Sequence, residues 1–463
     1  MDIVFNFLYS FLPDASNPFE AMWQVFGRGG WILVVLVLIK GFWWLYLSEI
    51  RSHYGSKLQY IVLSVNVPRM TEQTPKAVEN IFAHFTGLLG GGNLIDKYVK
   101  GKFQENFACE LVSKDGIIRY YIRIPAGLRD VFESALFAQY PEIEIKEAVD
   151  YATEVPQTFP NATHDMWGSE LCLARPESYP IRTWISFEHS LTATFKDPLA
   201  SLLEFLGTLR MGEQIWIQFC LLPISDAWRK ESDVVVKKLI GAKVPTPKPG
   251  VLDSLVGIVN GALVEVGHAM TGGVLAPKAP PPKSAEAPVT LLQHLTPGDK
   301  QVVEQIQLKA AKSGFMTKIR IVYIARKEVF SKGRAVVGVL GSFKQFGALH
   351  LNEFVPDKYT KTSANYFYVK QRVAKRQNKL MKAYTARSSG SGGKRFVLNV
   401  EELATLWHFP LIDTKAPLIA KSESKKGEPP VNLPLANEFE TRDTPEPKRD
   451  KEKVGAPENL PFL

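Results

Sequence analysis

The chain has 463 residues, of which 45% are hydrophobic and 22% are charged, and its formal net charge is +9. This length leaves room for about two or three domains with sizeable hydrophobic cores. The three cysteines, Cys109, Cys172 and Cys220, are far apart and form no C-x-x-C pair. Their spacing argues against a disulfide framework or a cysteine zinc site and is typical of a reducing cytoplasm.

The first predicted element is an apolar helix near the N-terminus. In the stretch WILVVLVLIKGFWWLYL, only Lys40 and Gly41 interrupt apolar or aromatic residues. A hydrocarbon core of about 30 Å needs roughly 20 helical residues, so we predict a transmembrane helix over 29–49. The Lys40 ammonium would extend to the polar side of the membrane. A buried helix of a soluble domain is the alternative. Aromatic residues near both ends favour the membrane: Trp31, Trp43, Trp44 and Tyr46.

The charges on the two sides of this helix predict its orientation. Arg51 and Lys57 follow it, whereas mostly acidic residues precede it. The positive-inside bias therefore places the C-terminal domains in the cytoplasm, at the inner (cell) membrane, as a single-pass protein with its N-terminus outside. Segment 1–28 would be external or interfacial. A cleaved signal peptide fits less well, because the chain does not start with a basic region.

Region 55–152 alternates between strand and helix patterns. A strand buried on both faces is predicted over KLQYIVLSVNVPR, and a helix begins after Thr74. Two further strands flank the Asp115–Gly116 pair, which is a strong hairpin signal. A helix over 127–140 and the strand EIEIKEAV complete the order β-α-β-β-α-β. This order predicts a ferredoxin-like, split βαβ domain.

A second, discontinuous α/β domain is predicted over 180–242 and 295–410. The strand-like runs TWISFEH, EQIWIQFCLLPI and FMTKIRIVYIA alternate with helical patterns. The fold class is therefore α+β: a transmembrane helix followed by two ferredoxin-like domains, the second interrupted by a Pro-rich insertion over 243–294. The tail, 411–463, has the composition of a disordered segment. An apolar stripe in the insertion either contacts lipid or a partner or folds back on its own domain: Leu252, Leu255, Val256, Val259, Leu263 and Val266.

Several stretches resemble one protein family. They are SVNVPRMTEQTPKAVENIF, IRYYIRIPAGLRDVFESALFAQYPEIEI, HLTPGDKQVVEQI, VLGSFKQF, FVLNVEELATLWHFP and KKGEPPVNLP, spread from about residue 58 to 435. They are similar to the membrane-anchored N-terminal region, a domain of unknown function, of conjugation or type IV secretion ATPase-like proteins. In fused members of that family a RecA-like motor domain with a P-loop follows, but this sequence has no G-x-x-x-x-G-K-[ST] motif. The resemblance implies a role beside a separate motor ATPase.

We predict no catalytic, cofactor-binding or metal-binding residue. Nucleotide hydrolysis needs a phosphate-binding loop with a lysine and a hydroxyl group that holds magnesium. The run Gly90–Gly92 lacks both, and the stretch SSGSGGKRF around Lys394 lacks the hydroxyl and a preceding strand. The histidines form no H-E-x-x-H or Ser-His-Asp arrangement, so we interpret His84 and His408 as packing or capping residues. The sequence therefore predicts a protein that is not an enzyme.

A strongly basic helix is predicted over YFYVKQRVAKRQNKLMKAYTAR. Segment 358–395, which contains it, holds eleven Lys or Arg and no Asp or Glu. Such a helix could bind nucleic acid by neutralising phosphates or anionic lipid by surface attraction. A solvated helix, or a docking face for an acidic protein, is the alternative. The candidate residues for an anionic partner are Lys370, Arg372, Lys375, Arg376, Lys379 and Lys382.

The main functional hypothesis is a single-pass membrane scaffold or adaptor of a type IV secretion or conjugation-like apparatus. Its partners would be the lipid bilayer and a separate P-loop motor ATPase, with anionic lipid or nucleic acid on the basic helix. The alternative is a membrane-tethered nucleic-acid-binding protein that uses the basic helix. The sequence leaves the oligomeric state open, a homo-oligomer included.

Overall fold

The computed structural model describes residues 20, 23–24, 26–27, 31–66, 73–187, 197–242 and 296–411. Three predicted segments lie almost entirely outside these residues: the external N-terminus (1–28), the Pro-rich insertion with its apolar stripe (243–294) and the tail (411–463). The prediction of an α+β fold is confirmed, because the described residues combine helices with one antiparallel sheet.

Nine strands in the described part of the chain form a single open sheet, and every strand pair in it is antiparallel. Its order is β4-β1-β3-β2-β6-β7-β5-β8, and β9 also pairs with β7. The strands are β1 (Tyr60–Asn66), β2 (Phe107–Lys114), β3 (Ile117–Pro125), β4 (Glu144–Ala148), β5 (His164–Leu173), β6 (Glu213–Pro223), β7 (Gly314–Arg326), β8 (Phe354–Pro356) and β9 (Phe396–Asn399).

The sheet has two halves with the same internal order. Strands β1 to β4 lie in the order β4-β1-β3-β2. The other half continues as β6-β7-β5-β8, which is the mirror image of the same pattern, with β5 in the place of β1 and β8 in the place of β4. The halves join where β2 pairs with β6, from Phe107 opposite Leu221 to Lys114 opposite Gln214. The two regions that the sequence suggests are separate domains therefore share one continuous hydrogen-bonded sheet.

Local sequence signals explain several element boundaries. Asp115 and Gly116 have positive φ angles of 54° and 84° and form the tight turn between β2 and β3. Thr296 accepts a hydrogen bond from the Asp299 N–H and begins a helix with a proline in its first turn. The helices are α1 (Trp31–Lys57), α2 (Pro75–Phe85), α3 (Leu94–Tyr98), α4 (Arg129–Gln139), α5 (Ala200–Gly207), α6 (Arg229–Leu239), α7 (Pro297–Ala310), α8 (Lys332–Lys344), α9 (Val369–Thr385) and α10 (Val400–Leu406).

Each face of the sheet carries its own hydrophobic core. Side chains alternate between faces along a strand, so on β6 Ile215 and Ile217 enter the larger core while Trp216 enters the smaller one. Helices α2, α4, α5, α8 and α10 contribute to the larger core. The smaller core lies under α9, where the rings of Trp216 and Tyr384 are 5.3 Å apart.

The prediction of a transmembrane helix over 29–49 is wrong. No helix within the described ranges has both the length and the apolar character needed to cross a membrane. The helix at this position, α1, extends to Lys57, but its apolar sequence ends at Leu47. Its remaining turns are polar and pack against the rest of the protein.

The first strand of the second half is also not where the sequence suggested. TWISFEH was predicted as a strand, but Trp184–Phe187 forms a 3-10 turn, and β5 takes that place in the sheet. Within β5, Ser169 and Glu170 interrupt the apolar pattern of the strand, yet both side chains are buried. The sequence pattern did not predict β5 because Glu170 is charged, and Arg320, which neutralises it, is distant in the sequence.

Candidate interaction surfaces

Helix α9 is held against the sheet by its inner face. Leu380, Met381 and Tyr384 are buried in the smaller core. Gly168 on β5 allows the close approach, because a β-carbon there would lie 2.5 Å from Leu380 Cδ2. The fold therefore fixes which side of α9 faces solvent.

A buried ionic cluster fixes the C-terminal end of α9. The Arg387 guanidinium donates to Glu110 Oε1 at 3.0 Å and to Asp150 Oδ1 at 2.8 Å. Glu110, on β2, also accepts hydrogen bonds from Tyr151 at 2.8 Å and Gln218 at 2.7 Å. Burial alone would lower the pKa of Arg387, but the neighbouring carboxylates outweigh burial and raise it. The guanidinium is therefore a permanent positive charge that these acceptors must satisfy.

A second buried cluster holds the loop that follows α9. Arg320, on β7, donates to Glu170 at 2.9 Å and to the Ser391 carbonyl at 2.9 Å. Lys318 donates to the carbonyls of Ser391 and Gly393 at 2.6 and 2.8 Å. The glycine-rich loop around Lys394 is thus bound to the sheet through its backbone.

The pKa of Asp150 predicts a loss of stability in acid. Burial alone would raise this pKa, but the hydrogen bonds and charge of Arg387 outweigh burial and hold it below its usual value. A lowered folded-state pKa contributes stability that is present above the ordinary carboxyl pKa of about 4 and is lost as the pH falls through the folded value. We expect Asp150→Asn to flatten the fall in unfolding free energy below about pH 4, measured by urea denaturation. The exposed Asp233→Asn is the control, and an unchanged pH profile for Asp150→Asn would contradict this role.

The outer face of α9 carries the predicted basic residues, which separate into two groups. Arg376 donates to the Lys361 carbonyl at 3.1 Å and to the Ser363 carbonyl, and Arg372 donates to the Asn365 carbonyl at 3.1 Å. These two arginines hold the preceding loop in place. The other group is exposed and has no carboxylate within ion-pair distance among the residues that the structure describes: Lys370, Lys375, Lys379 and Lys382.

Three exposed aromatic residues precede the basic face. Tyr366, Phe367 and Tyr368 are 88%, 82% and 75% exposed. Tyr366 and Tyr368 have positive φ angles of 70° and 52°, a conformation that is uncommon outside glycine. These three residues form the YFY run that directly precedes the basic helix in the sequence, and they were not among the predicted site residues. We call Tyr366–Tyr368 together with the four exposed lysines the aromatic–basic surface.

The apolar part of α1 forms a second surface. Val34–Ile39 are all exposed, by 39% to 69%, and six consecutive helical residues cover more than one full turn. Within the part of the chain that the structure describes, no side of this stretch of α1 is therefore buried. The residues predicted to anchor the protein also lie exposed on α1: Trp31, Lys40, Trp43, Trp44 and Tyr46.

The rest of α1 is attached firmly to the protein. The rings of Trp43 and Tyr98 lie 5.9 Å apart, and the Tyr54 hydroxyl donates to Glu105 at 3.1 Å. Gly101 has a φ of +69°, and a β-carbon there would lie 2.4 Å from the Ile50 carbonyl oxygen. Only glycine permits this approach, so the C-terminal half of α1 packs closely against α3 and the segment that follows α3.

The described residues bring together no obvious metal or catalytic group. Within them, no three or more His, Cys, Asp or Glu side chains are placed to hold a metal ion. His84 is exposed near the end of α2. His408 is buried and contacts the Ala404 carbonyl at 2.8 Å and Asp197 at 3.0 Å, as a structural residue would.

These features define an α+β protein with one continuous sheet and two exposed surfaces, on α1 and on α9. The chain belongs to the family described as a domain of unknown function (DUF8128), whose model matches residues 98–422. The match begins in α3 and includes the aromatic–basic surface, while α1 precedes it. A comparison with curated proteins gives no match. The resemblance to conjugation and secretion ATPase-like proteins stays a prediction.

Proposed function

We propose that this protein is a lipid-attached scaffold or adaptor, without catalytic activity of its own, on the cytoplasmic face of the cell membrane. It would hold a separate P-loop motor ATPase in an apparatus of the type IV secretion or conjugation kind. The observation that carries the proposal is the exposed apolar part of α1. The C-terminal half of the same helix packs against Gly101, and α1 leads directly into strand β1 of the sheet. The apparatus and the motor come from the sequence resemblance.

Lipid suits the apolar part of α1 better than a protein partner does. A partner protein covers one side of a helix, whereas Val34–Ile39 expose apolar side chains on every side. A helix that is apolar all round is buried in a large protein core or in lipid, and contact of these turns with lipid does not require α1 to cross the membrane. Burying a fully exposed large aliphatic side chain contributes about 1.5–3 kcal/mol. These six residues are 39% to 69% exposed, so their burial would contribute roughly 5–10 kcal/mol.

The test is flotation of the purified full chain with neutral phosphatidylcholine vesicles. We expect the wild type to float, and the variant Leu36→Asn/Val37→Asn/Leu38→Asn to lose most vesicle binding. The control, Met211→Asn/Val337→Asn/Leu349→Asn, removes three apolar side chains that are 73% to 96% exposed elsewhere. It should float like the wild type. Equal flotation of the Leu36 variant would remove the basis for lipid attachment.

The scaffold role is tested with the motor. A P-loop ATPase encoded beside this protein should co-purify with the wild type. If its acidic surface docks on α9, Lys375→Gln/Lys379→Gln/Lys382→Gln should weaken the complex. Nucleotide turnover by the purified chain alone, abolished by Lys394→Ala, would contradict a non-catalytic scaffold.

A second candidate function is binding of single-stranded nucleic acid by the aromatic–basic surface. Proteins that bind single strands combine cations along the backbone with aromatic rings on which bases stack. Tyr366–Tyr368 and the lysine row of α9 place both kinds of group side by side. This combination distinguishes the surface from a merely solvated charged helix.

Salt dependence measures this second function. Each phosphate contact with a single strand contributes about 0.7 to the slope of log affinity against log salt. We expect Lys375→Gln/Lys379→Gln/Lys382→Gln to reduce that slope by about 2, with little change in stability. Lys230→Gln/Lys237→Gln/Lys238→Gln removes the same charge from α6 and should leave the slope unchanged. No affinity of the wild type for oligonucleotides at low salt would reject this candidate.

A further inference from the structure

A cleft of about 830 Å³ lies at the base of α1. Its wall contains four cationic side chains, Arg51, Lys97, Lys102 and Arg395, which come from α1, α3, the segment after α3 and the segment before β9. Among the described residues that line the cleft, Glu105 is the one acidic residue. Its carboxylate already accepts a hydrogen bond from the Tyr54 hydroxyl. The cleft therefore presents a net positive charge to a ligand.

The floor of the cleft is apolar. Phe107 and Phe132 contribute to it, and both belong to the larger core. The mouth is formed partly by the Gly90–Gly92 loop, in which the Gly90 N–H donates to Gln104 at 2.7 Å. A β-carbon at Gly91 would meet nothing within 4 Å, so this loop leaves open space beside the cleft. Cations above an apolar floor suit an anionic amphiphile better than a free ion.

The position of the cleft on α1 indicates which amphiphile this is. Arg51 lies four residues after Leu47, where the apolar sequence ends, a distance of about 6 Å along a helix. With the apolar turns in lipid, these cations would lie at the level of the lipid phosphates, where basic residues are attracted to anionic leaflets.

We propose that this cleft binds the phosphate of an anionic phospholipid, with the first part of an acyl chain on its apolar floor. This inference rests on the lipid attachment of α1 proposed above. The cleft gives the protein selectivity among lipids, which the apolar helix alone does not provide, and it differs from the aromatic–basic surface on α9.

The experiment compares two vesicle compositions with the full chain. The vesicles are phosphatidylcholine alone and phosphatidylcholine with about a third phosphatidylglycerol. We expect the wild type to prefer the anionic vesicles by about tenfold or more, since each basic residue near such a surface contributes a measurable attraction. Arg51→Gln/Lys102→Gln/Arg395→Gln should lose most of this preference and keep its binding to neutral vesicles. Lys230→Gln/Lys237→Gln/Lys238→Gln, with equal charge removed from α6, should keep the preference.

The outcomes separate this inference from lipid attachment itself. Retained preference in the cleft variant overturns the cleft proposal and leaves lipid attachment standing. Absence of binding to both vesicle types by the wild type overturns both. If inorganic phosphate raises the melting temperature of the wild type but not of the cleft variant, while the vesicle preference is equal in both, the site takes free phosphate and the lipid proposal fails. Should the triple variant not fold, Lys102→Gln alone, at an exposed side chain, must show a smaller decrease in the same direction.

Discussion

Replacing Glu110 with alanine should lower the free energy of unfolding by about 3–5 kcal/mol, the cost of breaking a buried ion pair by removing one partner. Glu110 and Arg387 are 0% and 1% exposed at their side chains. The variant leaves Asp150 as the one carboxylate that accepts from the guanidinium among the described residues, and it deprives Tyr151 of its carboxylate acceptor. Urea denaturation, with its slope checked for two-state behaviour, measures the effect.

Two comparisons identify the cause of that loss. Glu154→Ala removes a carboxylate from an ion pair with Lys114 in which both side chains are about half exposed, and it should cost less than about 1 kcal/mol. Adding Arg387→Met to Glu110→Ala removes a buried charge that has lost one of its two carboxylate partners, and it should restore part of the lost stability. A double variant less stable than Glu110→Ala would show that Arg387 stabilises the protein through other contacts.

Replacing Glu402 with alanine should lower the free energy of unfolding by a similar amount, about 3–5 kcal/mol. Glu402 lies on α10 and pairs with Lys309 on α7. Its carboxylate lies 3.0 Å from the Lys309 ammonium, and both side chains are fully buried. It also accepts the backbone N–H groups of Ile181 and Asn399 at 2.9 Å and completes the capping box of α10. Burial raises the pKa of the Glu402 carboxyl, and the Lys309 charge offsets only part of that rise.

The design of the Glu402 experiment separates charge from hydrogen bonding. Glu402→Gln keeps the capping acceptor but not the negative charge, so it should fall between the wild type and Glu402→Ala in thermal or urea unfolding. Glu353→Ala breaks the exposed Lys344–Glu353 pair and should change stability little. Equal stability of the wild type and Glu402→Ala would mean that the Lys309 ammonium finds other acceptors.

Sequence patterns predicted the elements whose signals are local. The hairpin at Asp115–Gly116 follows from turn chemistry, and the helix after Thr296 follows from a cap and a proline. The basic helix α9 was also predicted, and four of its lysines are exposed. Such features depend on residues within a few positions of one another.

The missing parts depend on contacts between distant residues. Strand β5 contains Glu170, which can be buried only because Arg320, 150 residues later, neutralises it. The different roles of Arg376 and Lys375 depend on a loop that folds back to meet only one of them. The sequence did not predict the pairing of β2 with β6 either. Each half has an open edge strand, and the local sequence of an edge strand does not indicate which other strand it will pair with.

The order in which the strands are synthesised differs from their order in the sheet. Among the described strands, β5 pairs with β7 and β8 alone, and β7 begins about 140 residues after β5 ends. At a translation rate of about 5–20 residues per second, β5 waits on the order of ten seconds for its first partner. During that time the Glu170 carboxylate in β5 lacks its partner Arg320. The backbone N–H and C=O groups of the strand are also unpaired, and such strands can pair with other chains and aggregate. We therefore expect the second half of the sheet to form only after β7 has been synthesised, whereas all four strands of the first half are synthesised before β5.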